Sequence, residues 1–242
     1  MAEIGMCFQA PLVRAFLAGR KSQTRRSLSA ARCLVDGWGY SEKRWAAMDW
    51  DWSTASIDTD PRADYDTEPH VVVMSRADGT KHVITPRPKA GDRMWVRETW
   101  SYTTGTLDEA RAITEDIMSG TALNYRATFI DDYVAGGMSR KDATEVETWE
   151  TWRPSIHMPR WAARIERDIV GLRFERLHDI SEADALAEGI HERGDGFRQF
   201  GEFVSMDAVG LFRTVWESIH GAGSWDANPM LLVYDFAEVR HG

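Results

Sequence analysis

Cysteine is nearly absent from this sequence. The 242 residues include two, Cys7 and Cys33, and they fit neither a metal-ligand spacing nor a disulfide framework, which suits a reducing cytosol. The seven histidines show no metal-ligand spacing either. DTDPRADYDTE, at 58–68, lacks the glycine and the spacing of a calcium loop. No metal and no cofactor is expected. No stretch approaches the roughly 18 continuous apolar residues of a membrane span. The opening MAEIGMCFQAPLVRAFLAGRK has neither a basic start nor a long apolar run, so it does not read as a signal peptide. These absences point to a soluble, cytoplasmic protein without a membrane partner.

A surplus of positive charge is missing too. The formal net charge is −9, which disfavours nonspecific binding to a long duplex. The acids are unevenly spread. Residues 31–83 hold 10 acids and 6 bases, and residues 105–150 hold 10 acids and 4 bases, so these stretches carry −4 and −6 and leave the remainder near +1. An acidic shell around a neutral-to-basic centre is compatible with a small anionic ligand or a local nucleic-acid contact. The cations of that centre gather in AGRKSQTRR at 18–26, which places Arg20, Lys21, Arg25 and Arg26 among nine residues.

What is present in quantity is tryptophan. Eleven of them, in a chain of ordinary 43% apolar content, imply large flat contact surfaces or a pocket, because a buried indole N–H needs a partner. PLVRAFLAG reads as a helix with Pro11 in its first turn, Gly19 at its end and Leu12, Val13, Phe16 and Leu17 as its apolar stripe. SQTRRSL reads as extended. HVVVMSRADGTKHVIT reads as a hairpin around Asp78-Gly79. A strand is expected over RMWVRETW, with Met94, Val96, Glu98 and Trp100 on one face and Trp95 and Arg97 on the other. A second hairpin-like piece falls around NYRATFIDDY. SEADALAEGI reads as a capped helix with Ser181 as N-cap, Asp184 three residues on and Gly189 as the stop. DAVGLFRTVWESIHG is an amphipathic helix with Leu211, Phe212, Val215, Trp216 and Ile219 inward, and NPMLLVYDFAEV a buried final strand.

Helix, GRKSQTRR, PKAGDRMWVRETW, a strand pair, LHDISEADALAEGI, a helix ending WESIHG and a last strand NPMLLVYDF follow one another in that order. In this the chain resembles the ASCH domains of the PUA-like superfamily, in particular the large phage and prophage versions. The resemblance covers residues 1–30, 86–102 and 153–240. It implies an α+β fold: one domain over 1–242, a mixed β-barrel flanked by helices, with insertions at about 31–83 and 105–150. It further implies a cleft that takes RNA, a nucleotide or a modified base. Smaller relatives are amidohydrolases that deacetylate N(4)-acetylcytidine with a lysine, a threonine and a glutamate, which map onto Lys21, Thr24 and Glu188. The acidic insert at 106–150 is expected to be peripheral to the core.

The chemistry is coherent. Amide hydrolysis needs a nucleophile, a base and an acid for the leaving nitrogen. A desolvated Lys21 would deprotonate the Thr24 hydroxyl, and Glu188 in an apolar cleft would serve as the acid. In a regular strand Lys21 and Thr24 face opposite sides, so Lys21 has to curl back from a turn or the strand has to bulge. Arg20, Arg25, Arg26, Arg97, Glu98, Trp100, Arg160 and Trp161 complete the candidate ligand-binding set. Each has a plainer reading beside it. Lys21 and Glu188 form a structural ion pair, Thr24 is a β-branched strand residue, Arg25 and Arg26 are a solvated strand edge, Glu98 pairs with Arg97 or Arg126, and the tryptophans are core or groove wall. The function is then either amidohydrolysis of an acylated cytidine or noncatalytic binding of RNA or a modified base.

Overall fold

Proline and glycine punctuate the first helix as the sequence indicates. Pro11 occupies its first turn and Gly19, at φ 69°, lies just beyond its end. The computed structural model describes residues 1–27, 34–35, 38–39, 51–58, 71–75, 81–84, 88–103, 106–115, 123–195 and 197–237. Its first half runs β1 (Glu3–Cys7), α1 (Ala10–Leu17), β2 (Gln23–Ser27), β3 (Leu34–Val35), β4 (Trp38–Gly39), β5 (Asp51–Asp58), β6 (Val71–Ser75), β7 (Lys81–Ile84), β8 (Arg93–Arg97) and β9 (Trp100–Tyr102). There follow α2 (Leu107–Glu115), β10 (Leu123–Tyr125), α3 (Phe129–Ala135), α4 (Arg140–Trp149) and β11 (Glu166–Arg176). The chain closes with α5 (Glu182–Ala187), β12 (His191–Glu192), β13 (Arg198–Phe200), β14 (Phe203–Ser205), α6 (Ala208–His220) and β15 (Met230–Phe236). Helices and antiparallel strand pairs make this an α+β protein, and among the described residues no sheet closes into a barrel. Among them, too, no helix is long and apolar enough to cross a membrane.

The chain divides into two compact units. One holds residues 1–2, 19–93 and 167–242. There β15 lies between β2 and β11, antiparallel to both, with Tyr234 opposite Thr24, Asp235 opposite Gln23, and Gly171 opposite Asp235. Flanked on both sides, β15 buries Leu231, Leu232, Val233 and Tyr234, which is why it reads as a continuous apolar run. Ser181 and Asp184 close a reciprocal capping box on α5, and Gly189 follows it at φ 109°. Asp207 caps α6 through the N–H groups of Val209 and Gly210. Helix α6 buries Leu211, Phe212, Val215 and Trp216. Ile219, expected inward, is 41% exposed because the buried stripe ends before the last turn. The β6–β7 hairpin is present with Ser75 opposite Lys81, while its Asp78-Gly79 turn, Cys33 and most of 31–83 lie outside the described residues.

The other unit holds residues 3–18 and 94–166. Helix α1 buries Val13 and Phe16, but Leu17 is 44% exposed, so the expected stripe is narrower than four residues. The strand expected through Trp100 breaks at 98–99 into β8 and β9. Around NYRATFIDDY there is no hairpin. Strand β10 pairs with β9 and turns into α3, where the Thr128 hydroxyl bonds to Asp132. Nor is the 105–150 stretch peripheral. Ala110 and Leu123 pack with Trp100, Met158 and Ala162, and Phe129 and Ala143 are buried as well. The sparse apolar residues of this acidic stretch sit at the inward positions of short amphipathic elements, so a low apolar average hid a core contribution.

Candidate functional site

Two backbone ties fix the turn between α1 and β2. The Ser22 N–H donates to the Ala187 carbonyl and the Phe236 N–H to the Ser22 carbonyl. The first sets the turn against the end of α5, where Glu188 forms the C-cap. Lys21 consequently points into a closed polar nest. Its Nζ donates to Glu188 Oε2 at 2.6 Å, to the Glu188 carbonyl at 2.9 Å and to the Gln23 carbonyl at 2.7 Å. That satisfies the three protons of an ammonium. The Lys21 side chain is 0% exposed and that of Glu188 7%. Burial pushes the amine below its ordinary 10.5; Glu188 opposes this by charge and hydrogen bond, while Arg26 and Arg25 add to it. Lys21 precedes the strand and curls back, and the carbonyl it reaches belongs to the peptide joining Gln23 to Thr24. Thr24 is buried, and strand alternation gives its side chain to the face opposite Gln23 and Arg25.

Arg25 meets the same carboxylate from its other oxygen. Its Nη1 lies 3.3 Å from Glu188 Oε1 and 2.5 Å from Gln23 Oε1, and its Nη2 lies 2.6 Å from Glu175 Oε1 and 3.6 Å from Asp184 Oδ2. The guanidinium also sits over the Phe212 ring, 5.9 Å from its centroid. A second layer holds this one. Gln23 Nε2 donates to Asp235 Oδ1 at 2.8 Å. Arg173 grips both oxygens of Asp235 at 3.0 Å, Glu175 Oε2 at 3.0 Å and Asp184 Oδ1 at 2.8 Å. Asp184 is held below its ordinary 3.8: burial works against this, and the Ser181 hydroxyl and N–H, Gln23 and Arg25 together outweigh it. Four carboxylates and three cations thus join β2, β11, α5 and β15 within one unit.

Of the sequence-derived candidates, the structure brings Lys21, Arg25 and Glu188 into direct contact, with Thr24 next in the chain. Arg25 is not a solvated strand edge, because its side chain is 1% exposed and turned onto carboxylates. Arg26 stands on β2 opposite Leu232, and Arg20, half-buried, helps burial push His191 below its ordinary 6.5. The remaining candidates lie in the other unit. Glu98 is buried, and its partner is Arg164, bound through both oxygens at 2.9 Å, rather than Arg97 or Arg126. Arg97 stacks over Trp95 at 4.6 Å, and Arg160 is bound to Glu3 and Glu166. Trp100 is 1% exposed, so it has no face to offer a base and serves as core. Trp161 stands edge-on to it at 6.4 Å, half-buried.

Arg173, Glu175 and Asp235 escaped sequence reasoning. Their signal was present: an acid inside the apolar run MLLVYDF and alternating charges in LRFER are unusual on buried strands and require partners. Comparisons with protein-family models, curated proteins and solved structures find no match for this chain.

Proposed function

We propose that this chain is an ASCH-like protein with a PUA-like barrel that binds a modified nucleoside or RNA in the cytoplasm and removes an acyl group from the exocyclic amine of cytidine. The observation that carries the reading is the buried Lys21–Glu188 contact of 2.6 Å, at the junction of a capped helix end with the turn before β2. Burial that lowers the pKa of Lys21 favours a base. In the proposed reaction the Thr24 hydroxyl, whose strand position faces away from Arg25, turns toward the Lys21 amine at the Gln23–Thr24 peptide, and Lys21 accepts its proton as Oγ attacks the acyl carbon. The ammonium returns that proton to N4 as the C–N bond breaks, leaving cytidine and a Thr24 ester. Water hydrolyses the ester, releasing the acid and restoring Thr24. Glu188 orients Lys21 rather than acting as the acid, because both its oxygens already accept hydrogen bonds from cations.

One observation favours a second reading, a noncatalytic binding module: all three protons of Lys21 are engaged, as in a structural ion pair. Incubation with N(4)-acetylcytidine and its analogues, followed by chromatography for cytidine, separates the two. Turnover lost in Lys21→Met supports hydrolysis. No cytidine at high protein concentration overturns it in favour of the module.

A further inference from the structure

We propose that Arg25 is a positioning residue for Lys21: by holding the second oxygen of Glu188, it keeps that carboxylate neutralised when the lysine amine is uncharged, so that Lys21 releases its proton without stranding a buried anion. The inference rests on the reading of Lys21 as the base. A buried carboxylate whose sole cation is a lysine holds that lysine's proton firmly, since deprotonation leaves an uncompensated charge in a poorly solvated place. Arg25 removes that penalty. A guanidinium does not lose its proton at any working pH, and its fork spans two acceptors. It reaches Glu188 Oε1 while Lys21 takes Oε2.

The placement of Arg25 is over-determined. Gln23 accepts from its Nη1, and Gln23 is anchored in turn by Asp235, which Arg173 grips through both oxygens. The charged groups around the pair come from every adjoining element. Glu188 and Asp184 come from the α5 segment, Arg25 and Arg26 from β2, Glu175 and Arg173 from β11, and Asp235 from β15. Among these Glu175 competes with Glu188 for Arg25, at 2.6 Å against 3.3 Å. The Arg25 charge is therefore divided, and Glu175 sets the share that reaches the Lys21–Glu188 pair.

Two variants of opposite sign test this. The chain has five lysines, so a 13Cε-lysine NMR titration of the whole protein resolves Lys21, assigned by its loss in Lys21→Met. Arg25→Gln is expected to raise the Lys21 midpoint by about one unit or more, a tenfold change in the neutral fraction at a given pH. Glu175→Gln keeps the shape and an acceptor for Nη2 but gives the Arg25 charge to Glu188, so the midpoint is expected to fall. A purely structural Arg25 would move neither. An unchanged or lowered midpoint in Arg25→Gln, or an unchanged or raised one in Glu175→Gln, overturns the proposal. If Arg25→Gln does not fold, Glu175→Gln decides alone. The titration needs no substrate, so an absence of turnover sinks the amidohydrolase reading without touching this result.

Discussion

Gly171 stands directly opposite Asp235 in the β11–β15 pair, and a Cβ at Gly171 would lie 2.7 Å from Asp235 Oδ2. That is too close for any side chain, and Asp235 cannot yield freely because Arg173 and Gln23 hold it. The pairing also shifts register between Ile169 and Gly171, immediately before this position. Gly171→Ala should therefore displace the carboxylate and cost about 1–3 kcal/mol, as overpacking does. Denaturant unfolding measures it. An unchanged midpoint would show that Asp235 is not fixed by its partners.

The two ends of the Lys21–Glu188 pair are not equivalent. Without Lys21, Glu188 keeps Arg25; without the Glu188 charge, Lys21 loses the carboxylate at 2.6 Å from its ammonium and keeps the Glu188 and Gln23 carbonyls. Removing one partner of a buried pair costs about 3–5 kcal/mol when the other is left uncompensated. Glu188→Gln should approach that range and Lys21→Met should fall clearly below it. Equilibrium unfolding of both variants, with Lys21→Met the more destabilised, would contradict the role given to Arg25.

Local signals carried much of the fold. The Ser181 capping box, the Pro11–Gly19 bracket on α1 and the apolar run of β15 are short-range features, and each occurs where the sequence placed it. What escaped depends on distant pairings. Nothing near Arg25 in the chain indicates that Glu175, 150 residues away, turns the first arginine of a surface-like RR dipeptide inward. Which of its two readings Trp100 takes, core or ligand contact, likewise depends on distant residues, since its burial rests on Ala110, Leu123 and Met158 from separate elements. Lys21 and Glu188 were legible as a pair through a family resemblance, but the second layer behind them was legible solely as misplaced charge.

Excision of 106–150 provides a test of the second unit. Closure entropy alone favours tolerance of a shortened loop. Ala110, Leu123, Phe129 and Ala143 are all at most 5% exposed, so excision opens a core rather than trimming a surface. A Gly/Ser replacement should lose cooperative unfolding of that unit, seen as loss of slow hydrogen exchange in residues 94–103 and 153–165. Retained protection there would make the segment dispensable.

Glu98 should make stability respond to pH in the direction opposite to an ordinary paired carboxylate. Burial raises it above its ordinary 4.5, with Arg164 opposing and Asp132 adding to the rise. A folded pKa above the unfolded one gives a contribution that is present below 4.5 and lost as pH rises through the raised value. Glu98→Gln keeps the shape without titrating. The stability of the parent relative to Glu98→Gln should therefore decline as pH increases above 4.5. Unfolding series at matched pH values check it, and a relative stability that increases over that window would mean that Arg164 outweighs burial.

The pH dependence of turnover distinguishes the two roles open to Glu188. With Glu188 as the acid, activity would rise as Lys21 deprotonates and then pass through a maximum and fall, giving a bell. With Glu188 clamped between Lys21 and Arg25, the proton for the leaving nitrogen comes from Lys21 itself, and kcat/KM should show a single ascending limb below 10.5 and then a plateau. Lys21→Arg keeps the charge but cannot release a proton, so turnover should vanish while ligand binding survives. Thr24→Ala should abolish turnover, whereas Thr24→Ser, which keeps the hydroxyl, should retain part of it. A descending limb that disappears in Glu188→Gln would restore the glutamate as the acid. A fully active Lys21→Arg would make Lys21 an electrostatic anchor and place the base elsewhere.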